Sequence, residues 1–321
     1  CVQLRKKCWE ESVIMTIQHL VLSGGGPSLF KTLGALQALE RAGIWKFNNI
    51  ETMYGTSAGA ICAVTICLGF DWETINTYFV DRPWHEAFPI TPTSLFNAYG
   101  KKGIFGKEFV IKTFTPLFGA KDIPITITMK EFYEKTNIDL FLYTTELNQF
   151  ENVELSHTSF PDLELMDALH MSCALPVIIA PRCVDNKCYL DGGLGANYPV
   201  SQCIKHGHSQ EHVLGIYAGS PEPTDLQKDT ENHISDDSSI LEYMNAIFGN
   251  MVKRINNTDN RPHLENEIMC PGERLTFEYI QETLLSKDMR KSLLDEGIKY
   301  GEDFSTDTQK VDPPMNEDNV I

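Results

Sequence analysis

The sequence predicts a layered α/β fold, because strand and helix signals alternate along the first part of the chain. A short apolar run at 19–23 ends in glycines, which is typical of a buried strand. Residues 31–42 place apolar side chains at helical spacing, and Gly43 follows as a stop. A second strand at 50–54 and a second helix at 58–68 repeat this order. Such a succession opens a fold in which helices are layered on a sheet.

Weaker patterns continue the alternation as far as Gly219. Further helices are predicted at 72–80, 107–118, 130–135 and 161–174, the last with Ser159 as a candidate cap and Pro161 in its first turn. Further strands are predicted at 125–128, 140–145, 153–156, 188–190 and 213–217, with a hairpin turn at Asn148. The aromatic segment 82–105 is interpreted as buried core, and a lid or an interfacial surface is the alternative.

Composition divides the chain into five parts. A core domain at 18–219 follows an N-terminal extension at 1–17, and a polar, acidic loop spans 220–238. Residues 239–300 are expected to form C-terminal helices that pack on the same domain. Residues 301–321 are polar and acidic, which predicts a disordered tail.

The charge balance limits the classes of partner. The chain has 321 residues, 42% of them hydrophobic, and a formal net charge of -17. Nucleic acid is excluded as a partner because phosphate binding needs clustered lysine and arginine. Strong electrostatic attachment of the whole chain to an anionic membrane is also disfavoured. Peripheral contact with a lipid surface through apolar loops stays open.

The nine cysteines include no Cys-x-x-Cys pair, which predicts reduced thiols in a cytoplasmic protein. Cys183 and Cys188 flank a predicted turn. The longest apolar run, at 58–70, is too short to cross a bilayer and is interpreted as a buried helix.

One serine lies in a pentapeptide that suits a nucleophile. Residues 55–59 are Gly-Thr-Ser-Ala-Gly, between a predicted strand and a predicted helix. Such a turn holds Ser57 out from the sheet, while Gly55 and Gly59 allow a strained backbone and leave space for a substrate. The helix would direct its positive end at a developing oxyanion. An ordinary turn is the alternative.

Three glycines, Gly24, Gly25 and Gly26, follow the first predicted strand. Their backbone N–H groups could point at a developing negative charge and form an oxyanion hole, and a simple glycine-rich turn is the alternative. A dinucleotide-binding loop does not fit, because Leu29 takes the third glycine position and no acidic residue ends the second strand. A phosphate-binding loop does not fit either, because no Gly-Lys-Ser/Thr follows.

An aspartate, Asp191, follows the predicted strand at 188–190 and precedes Gly192 and Gly193. A carboxylate at a strand end, beside glycines that permit close approach, can accept the proton of a serine directly. Asp191 is therefore the candidate general base, with a plain Asp-Gly turn as the alternative.

A Ser-acid-His triad and a histidine metal site are the alternatives to Ser57 and Asp191. A Ser-acid-His order is available downstream, but the fold with that order has several strands before its serine, whereas Ser57 follows the second predicted strand. His206, His208 and His212 suggest a metal, yet their spacing fits no zinc motif, so a solvated loop is expected. No metal site is predicted.

The motifs together resemble those of the patatin-like phospholipases. Three ordered segments carry the resemblance: Ser-Gly-Gly-Gly at 23–26, Gly-Thr-Ser-Ala-Gly at 55–59 and Asp-Gly-Gly at 191–193. Three further segments are also similar: the helix with Gly-Ala-Leu-Gln-Ala-Leu at 34–39, Ser-Cys-Ala-Leu-Pro at 172–176 and Asn-Tyr-Pro at 197–199.

This resemblance implies a three-layer α/β/α sandwich around a mainly parallel central sheet, with 18–219 as the catalytic core. It implies a Ser-Asp dyad: Ser57 attacks an ester carbonyl, Asp191 takes its proton, and the glycine-loop amides stabilise the oxyanion. An acyl-serine forms and water releases the fatty acid. The implied substrate is a phospholipid or an acylglycerol, and no metal or organic cofactor is implied.

One segment departs from the family pattern, which usually has a basic residue and a glycine after the glycine run. Here Pro27, Ser28 and Leu29 follow. Pro27 has no N–H, so oxyanion donors would come from Gly24–Gly26 or Ser28. A lipid acyl hydrolase is the leading hypothesis, and a catalytically silent lipid-binding or interaction protein and a lipid transacylase are the alternatives.

Overall fold

A central sheet of eight strands organises the chain. The computed structural model describes residues 16–219, 234–236, 238, 243, 244, 246–251, 261–273 and 275–311. The strands are β1 His19–Leu22, β2 Thr52–Thr56, β3 Gly103–Phe105, β4 Asp139–Glu146, β5 Glu151–Leu155, β6 Val177–Ile179, β7 Arg182–Val184, β8 Lys187–Asp191, β9 Val213–Gly219 and β10 Glu267–Pro271. The sheet has the order β10-β9-β1-β2-β4-β8-β7, with β5 also paired to β4, while β3 and β6 form a separate pair.

Helices connect the strands and cover the sheet. They are α1 Leu29–Arg41, α2 Ala58–Cys67, α3 Trp72–Asn76, α4 Trp84–Ala87, α5 Pro92–Lys101, α6 Glu108–Gly119, α7 Met129–Thr136, α8 Leu165–Ser172, α9 Gly193–Ala196, α10 Val200–Lys205, α11 Phe277–Leu285 and α12 Lys287–Val311. Residues 246–251 are also helical. Among the helices that the structure describes, none is both long and apolar enough for a membrane crossing.

The two faces of the sheet bury different clusters, which defines three layers. Leu20 and Leu22 of β1 join the main apolar core with α1 and α2, whereas Val21 between them packs with Val200 and Cys203 of α10. This alternation follows from the two-residue period of a strand. Strands β10, β9, β1, β2 and β4 pair in parallel, so the predicted three-layer α/β/α sandwich with a mainly parallel sheet is confirmed.

Strands β2 and β8 lie end to end along one edge of β4, which brings distant parts of the chain together. Residues 139–143 of β4 pair in parallel with β2, and residues 144–146 pair antiparallel with β8. Strand β5 pairs with residues 142–146 of β4 and therefore occupies the opposite edge of β4 from β2 and β8. The carboxyl ends of β2 and β8 therefore face each other.

Several local predictions are confirmed and others are wrong. Helix α1 stops at Gly43, which has φ 78° and donates its N–H to Glu40 O, and the hairpin of β4 and β5 turns around Asn148 as expected. Helix α8 begins at Leu165 rather than at 161. Residues 125–128 form no strand, because Thr128 instead caps α7 through a capping box with Glu131.

The cysteine prediction is wrong at one pair. Cys183 and Cys188 are register partners across β7 and β8, with Cα atoms 4.1 Å apart, and form a disulfide. The register brings the two thiols face to face, which the spacing alone did not indicate. Five further cysteines of the described residues are free and buried: Cys62, Cys67, Cys173, Cys203 and Cys270.

The C-terminal helix extends well into the segment predicted to be disordered. Helix α12 runs to Val311 and packs tightly along α1. A Cβ atom on Gly34 would lie 2.2 Å from Leu294 O, and one on Gly297 would lie 2.0 Å from Lys31 O. Glycine at these two positions lets the backbones of α1 and α12 approach closely. This contact holds α12 on the domain although the exposed face of α12 is polar. Residues 312–321, residues 1–15 of the N-terminal extension at 1–17, and most of the acidic loop at 220–238 lie outside the described residues.

The substitution Gly297→Ala is expected to destabilise the fold by about 2 kcal/mol, because the added methyl group collides with the backbone of α1. Gly119→Ala is the matched control, since a Cβ atom at the end of α6 meets nothing within 4 Å. Urea unfolding of both variants measures the difference. Equal stabilities of the two variants would contradict a close backbone contact between α12 and α1.

Candidate active site

Ser57 lies on a strained turn between β2 and α2. Its backbone has φ 54° and ψ -119°, a conformation that side-chain-bearing residues rarely adopt. The flanking glycines permit the turn: a Cβ atom on Gly55 would lie 2.7 Å from Gly59 O, and one on Gly59 would lie 2.2 Å from Leu22 O. The turn therefore holds the serine in a single orientation at the carboxyl end of the sheet.

The end of α8 and the residue after it hold the turn in place through two hydrogen bonds. Ser57 donates its backbone N–H to Ser172 Oγ at 3.0 Å, and the Cys173 thiol donates to Ser57 O at 3.3 Å. Burial, together with the charge of Asp191, raises the pKa of Cys173 well above its ordinary value, so this thiol stays a donor. Both residues belong to the segment Ser-Cys-Ala-Leu-Pro at 172–176, whose role in holding the turn appears only in the fold.

Asp191 is the last residue of β8. It lies near Ser57 because the carboxyl ends of β8 and β2 face each other along β4. The Ser57 hydroxyl lies near enough to the Asp191 carboxylate to lower the pKa of that carboxyl as a hydrogen-bond donor. The Gly193 N–H donates to Asp191 Oδ1 at 2.8 Å. A Cβ atom on Gly192 would lie 2.3 Å from Tyr143 O, so only glycine permits this approach to β4. The fold therefore brings Ser57 and Asp191 to the same end of the sheet.

The environment of Asp191 makes it a stronger base than an ordinary aspartate. Its side chain is only 3% exposed. Burial raises the pKa of Asp191 to about 6, against the opposing effect of the hydrogen bonds from Ser57 and Gly193. The carboxylate is therefore charged at neutral pH, yet its affinity for a proton is increased.

The glycine loop lies against the serine, but its three amides are not equivalent. A Cβ atom on Gly24 would lie 3.2 Å from Ser57 Cβ, which places the loop beside the nucleophile. Gly24 donates its N–H to Asn197 O at 2.9 Å, and Asn197 Nδ2 lies 3.5 Å from Gly24 O. The Gly24 amide, which was predicted to be an oxyanion donor, is therefore already bonded to a main-chain carbonyl.

Gly25 and Gly26 keep their amides available. Neither N–H donates a hydrogen bond to another of the described residues, while Gly25 O accepts from the Ser28 N–H at 3.1 Å. The Ser28 amide, which the sequence left as a further donor, is thus occupied. Gly26 has φ 53°, so a side chain there would be strained.

An apolar cavity opens beside Ser57. It is open to solvent at its mouth, and Gly26, Pro27 and Ser57 lie in its wall. Six aromatic residues line it: Phe30, Phe79, Trp84, Phe88, Phe105 and Phe109. Leu275 before α11 and Ile280 within it complete the wall, a contribution from the C-terminal region that the sequence did not reveal. A long hydrocarbon chain is the kind of ligand that such a cavity accommodates.

Arg290 is a charged residue in the cavity wall, and its guanidinium is directed at the main chain. It donates to four backbone carbonyls: Val80 O, Arg82 O, Thr283 O and Leu284 O. The side chain is buried, and burial lowers its pKa below the ordinary value. These bonds join α11 and α12 to the segment before α4, so Arg290 stabilises the wall.

The histidine loop is exposed to solvent at residues 205–207 and 209–211, as predicted, but two of its rings also contact a buried tyrosine. His206 Nδ1 lies 2.9 Å and His208 Nε2 lies 3.0 Å from the hydroxyl of buried Tyr54, and His206 Nε2 lies 3.3 Å from Glu154. The rings pack on neighbouring aromatics because the loop folds back under β2. In the part of the chain that the structure describes, no three residues are arranged to bind a metal ion.

The chain is thus an α/β protein with a three-layer α/β/α sandwich, in which a strained serine and a buried aspartate lie near each other at the ends of two strands. Comparison with known families gives the narrower assignment. The family model described as patatin-like phospholipase matches residues 20–204. The chain therefore belongs to the patatin-like phospholipase family.

Individual relatives agree with this assignment. The chain is 29% identical over 190 residues to a protein named "Probable lipid hydrolase 463L" from Invertebrate iridescent virus 6, covering 58% of this chain and 63% of the relative. It is 27% identical over 218 residues to the cUMP-AMP-activated phospholipase of Escherichia coli, covering 64% and 65%. The chain thus spans slightly less than two thirds of these curated relatives.

The fold also has a solved counterpart. The crystal structure of VipD from Legionella pneumophila superposes with a TM-score of 0.51 at 18% sequence identity, and covers 91% of this chain and 67% of that chain. At this identity the likeness concerns the fold alone.

Proposed function

We propose that this protein is a lipid acyl hydrolase that cleaves carboxyl esters through Ser57 and Asp191. The observation that carries the proposal is the meeting of the strained Ser57 turn and the buried Asp191 carboxylate where β2 and β8 end, with Ser57 in the wall of an apolar cavity. Membership of the patatin-like phospholipase family and relatives named as lipid hydrolase and phospholipase support a lipid substrate.

In the first half-reaction, Ser57 Oγ attacks the ester carbonyl while its proton moves to the Asp191 carboxylate. The carbonyl oxygen becomes an oxyanion, for which the amides of Gly25 and Gly26 and the amino end of α2 are the proposed donors. Gly24 acts by position, since its bond to Asn197 anchors the loop. The lipid alcohol then leaves with the proton held by Asp191, and an acyl-serine remains.

In the second half-reaction, a water molecule attacks the acyl-serine. Asp191 takes a proton from this water and returns one to Ser57 Oγ as the fatty acid leaves. The acyl chain lies in the aromatic cavity throughout, so the apolar wall excludes other water from the ester.

A catalytically silent protein is disfavoured by the strain at Ser57. A positive φ at a residue with a side chain costs about 1–3 kcal/mol and persists where function requires it. A lipid transacylase would use the same acyl-serine with an alcohol in place of water.

Product analysis by mass spectrometry on a mixed lipid extract tests the proposal: free fatty acid released by wild type and not by Ser57→Ala supports hydrolysis. Acyl chains moved to another lipid would support transacylation, and no change in either would support the silent protein.

The pH dependence of the reaction gives a further prediction. Asp191 accepts a proton only when ionised, and its pKa is raised to about 6 by burial. We therefore expect kcat/KM for a soluble short-chain ester to rise with pH through a midpoint of about 6 and then level off. Initial rates in buffers from acidic to alkaline pH measure this midpoint. A midpoint at the ordinary aspartate value of about 4 would show that Asp191 is not the desolvated base.

A further inference from the structure

Helix α5 presents an aromatic face to solvent. Phe96 is 84% exposed and Tyr99 is 96% exposed, the highest values among the large hydrophobic side chains of the described residues. They are three positions apart, so they lie on one face of the helix. Ala98, between them in sequence, is buried against the core. This outward face is therefore not part of the packing that holds the helix.

The same segment has a local charge opposite to that of the chain. Residues 87–107 contain no aspartate or glutamate, although the whole chain has a net charge of -17. Lys101 and Lys102 follow Tyr99, are exposed and form no ion pair with any of the described residues. Lys107 is paired with Glu164 and Asp167 and contributes no free charge.

Local charge governs contact with a surface, because salt screens charges beyond about 8 Å at physiological ionic strength. The acidic residues elsewhere on the chain oppose approach from a distance but act weakly once α5 has docked. Two aromatic rings beside two lysines match the boundary of a bilayer, where aromatic side chains enter the headgroup region and lysines contact anionic lipids.

The position of α5 connects this face with the candidate active site. Phe88 before the helix and Phe105 after it both lie in the wall of the apolar cavity. The helix packs on β3, which contains Phe105. Both ends of the segment are thus fixed in the cavity wall, and a surface that binds α5 is held near the cavity.

We propose that the outward aromatic face of α5, formed by Phe96 and Tyr99, together with the exposed Lys101 and Lys102 at the end of the helix, docks on a lipid surface that contains anionic lipid. The lipid nature of the partner rests on the proposed function, while the docking itself is independent of catalysis. In this arrangement Phe96 and Tyr99 supply apolar contact and the lysines supply the preference for anionic headgroups.

Co-sedimentation with vesicles tests the proposal in the Ser57→Ala protein, which leaves the lipid intact. Vesicles of phosphatidylcholine alone are compared with an equal mixture of phosphatidylcholine and phosphatidylserine. The double substitution Phe96→Ser with Tyr99→Ser is expected to weaken binding to the mixed vesicles by about tenfold or more. Lys101→Gln with Lys102→Gln is expected to weaken binding to mixed vesicles by about tenfold and to remove their advantage over pure phosphatidylcholine.

Matched controls remove equivalent groups from other surfaces. Leu147→Ser with Phe150→Ser removes apolar side chains that are 46% and 50% exposed on the β4–β5 turn. Lys135→Gln with Lys205→Gln removes two exposed lysines elsewhere. Both controls are expected to bind vesicles as the parent does. Failure of the parent to bind mixed vesicles, or equal losses in test and control pairs, would overturn the proposal.

Two further measurements separate the possible outcomes. In protein that retains Ser57, the Phe96/Tyr99 double variant is expected to hydrolyse a soluble short-chain ester at the parental rate, because neither side chain lines the cavity. Vesicle binding without any ester hydrolysis would reject the proposed function and keep the docking surface. The alternative outcome in light scattering is a dimer for the parent and a monomer for the Phe96/Tyr99 double variant. That result, with vesicle binding unchanged, would assign the face to a second copy of the chain.

Discussion

Replacement of Ser57 by alanine is expected to lower kcat/KM for lipid and soluble esters by at least about 10⁴-fold, since no acyl-serine can form. The same change should abolish labelling by a fluorophosphonate probe, which reacts with activated serines. Ser201→Ala, which removes a hydroxyl from α10, is the control and is expected to retain activity and labelling. Comparable activity in the Ser57→Ala variant would exclude Ser57 as the nucleophile.

Stability provides a second readout at the same position. Alanine keeps the unfavourable φ of 54°, whereas glycine adopts it without strain. Ser57→Gly is therefore expected to unfold at a higher temperature than Ser57→Ala, by the equivalent of about 1 kcal/mol, while being equally inactive. Calorimetry of the two variants measures this. Equal unfolding temperatures would mean that the turn stores no strain, which would remove the structural argument against a silent protein.

The two central residues were predictable because each is marked by glycines next to it in sequence. The need for Gly55 is local, because a Cβ atom there would lie 2.7 Å from Gly59 O in the same turn. The meeting of Ser57 and Asp191 is not local. It depends on β8 pairing antiparallel with the far half of β4, a register that no spacing in the sequence encodes.

Other features needed the fold because they depend on which surface covers which residue. Phe88 and Phe96 are both aromatic in one short segment, yet one lines the cavity and the other is 84% exposed. Leu275 reaches the glycine loop from the C-terminal region, and its Cδ1 would lie 2.6 Å from a Cβ atom on Gly26. The engagement of the Gly24 amide by Asn197 also appears only in three dimensions.

Asp191→Asn is expected to lower kcat/KM by about 10⁴-fold or more, because asparagine cannot accept the proton of Ser57. The amide is nearly isosteric with the carboxylate: its oxygen can still accept from the Gly193 N–H, and its NH₂ can donate to Ser57 Oγ. Binding of substrate in the cavity should therefore persist, so that the loss falls on kcat rather than on KM. Steady-state kinetics on a soluble ester measures the two constants separately.

The same substitution should stabilise the fold, which ties the loss of activity to burial of the charge. The pKa of Asp191 is raised from 3.8 to about 6 in the folded protein. Between these pH values the unfolded chain releases a proton that the folded chain retains, so wild-type stability falls as pH rises through this window and stays lower above it. Asparagine has no such proton, and above pH 6 the variant is expected to be more stable by about 3 kcal/mol.

Urea unfolding at acidic and at mildly alkaline pH measures this difference, with the exposed Asp162 as the control through Asp162→Asn. The control is expected to leave both activity and the pH dependence of stability unchanged. Activity lost without any gain in stability would indicate that water reaches the carboxylate and that its basicity has another origin. Because a desolvated base both drives the proton transfer and destabilises the fold, the two effects must appear together if Asp191 acts on Ser57 as proposed.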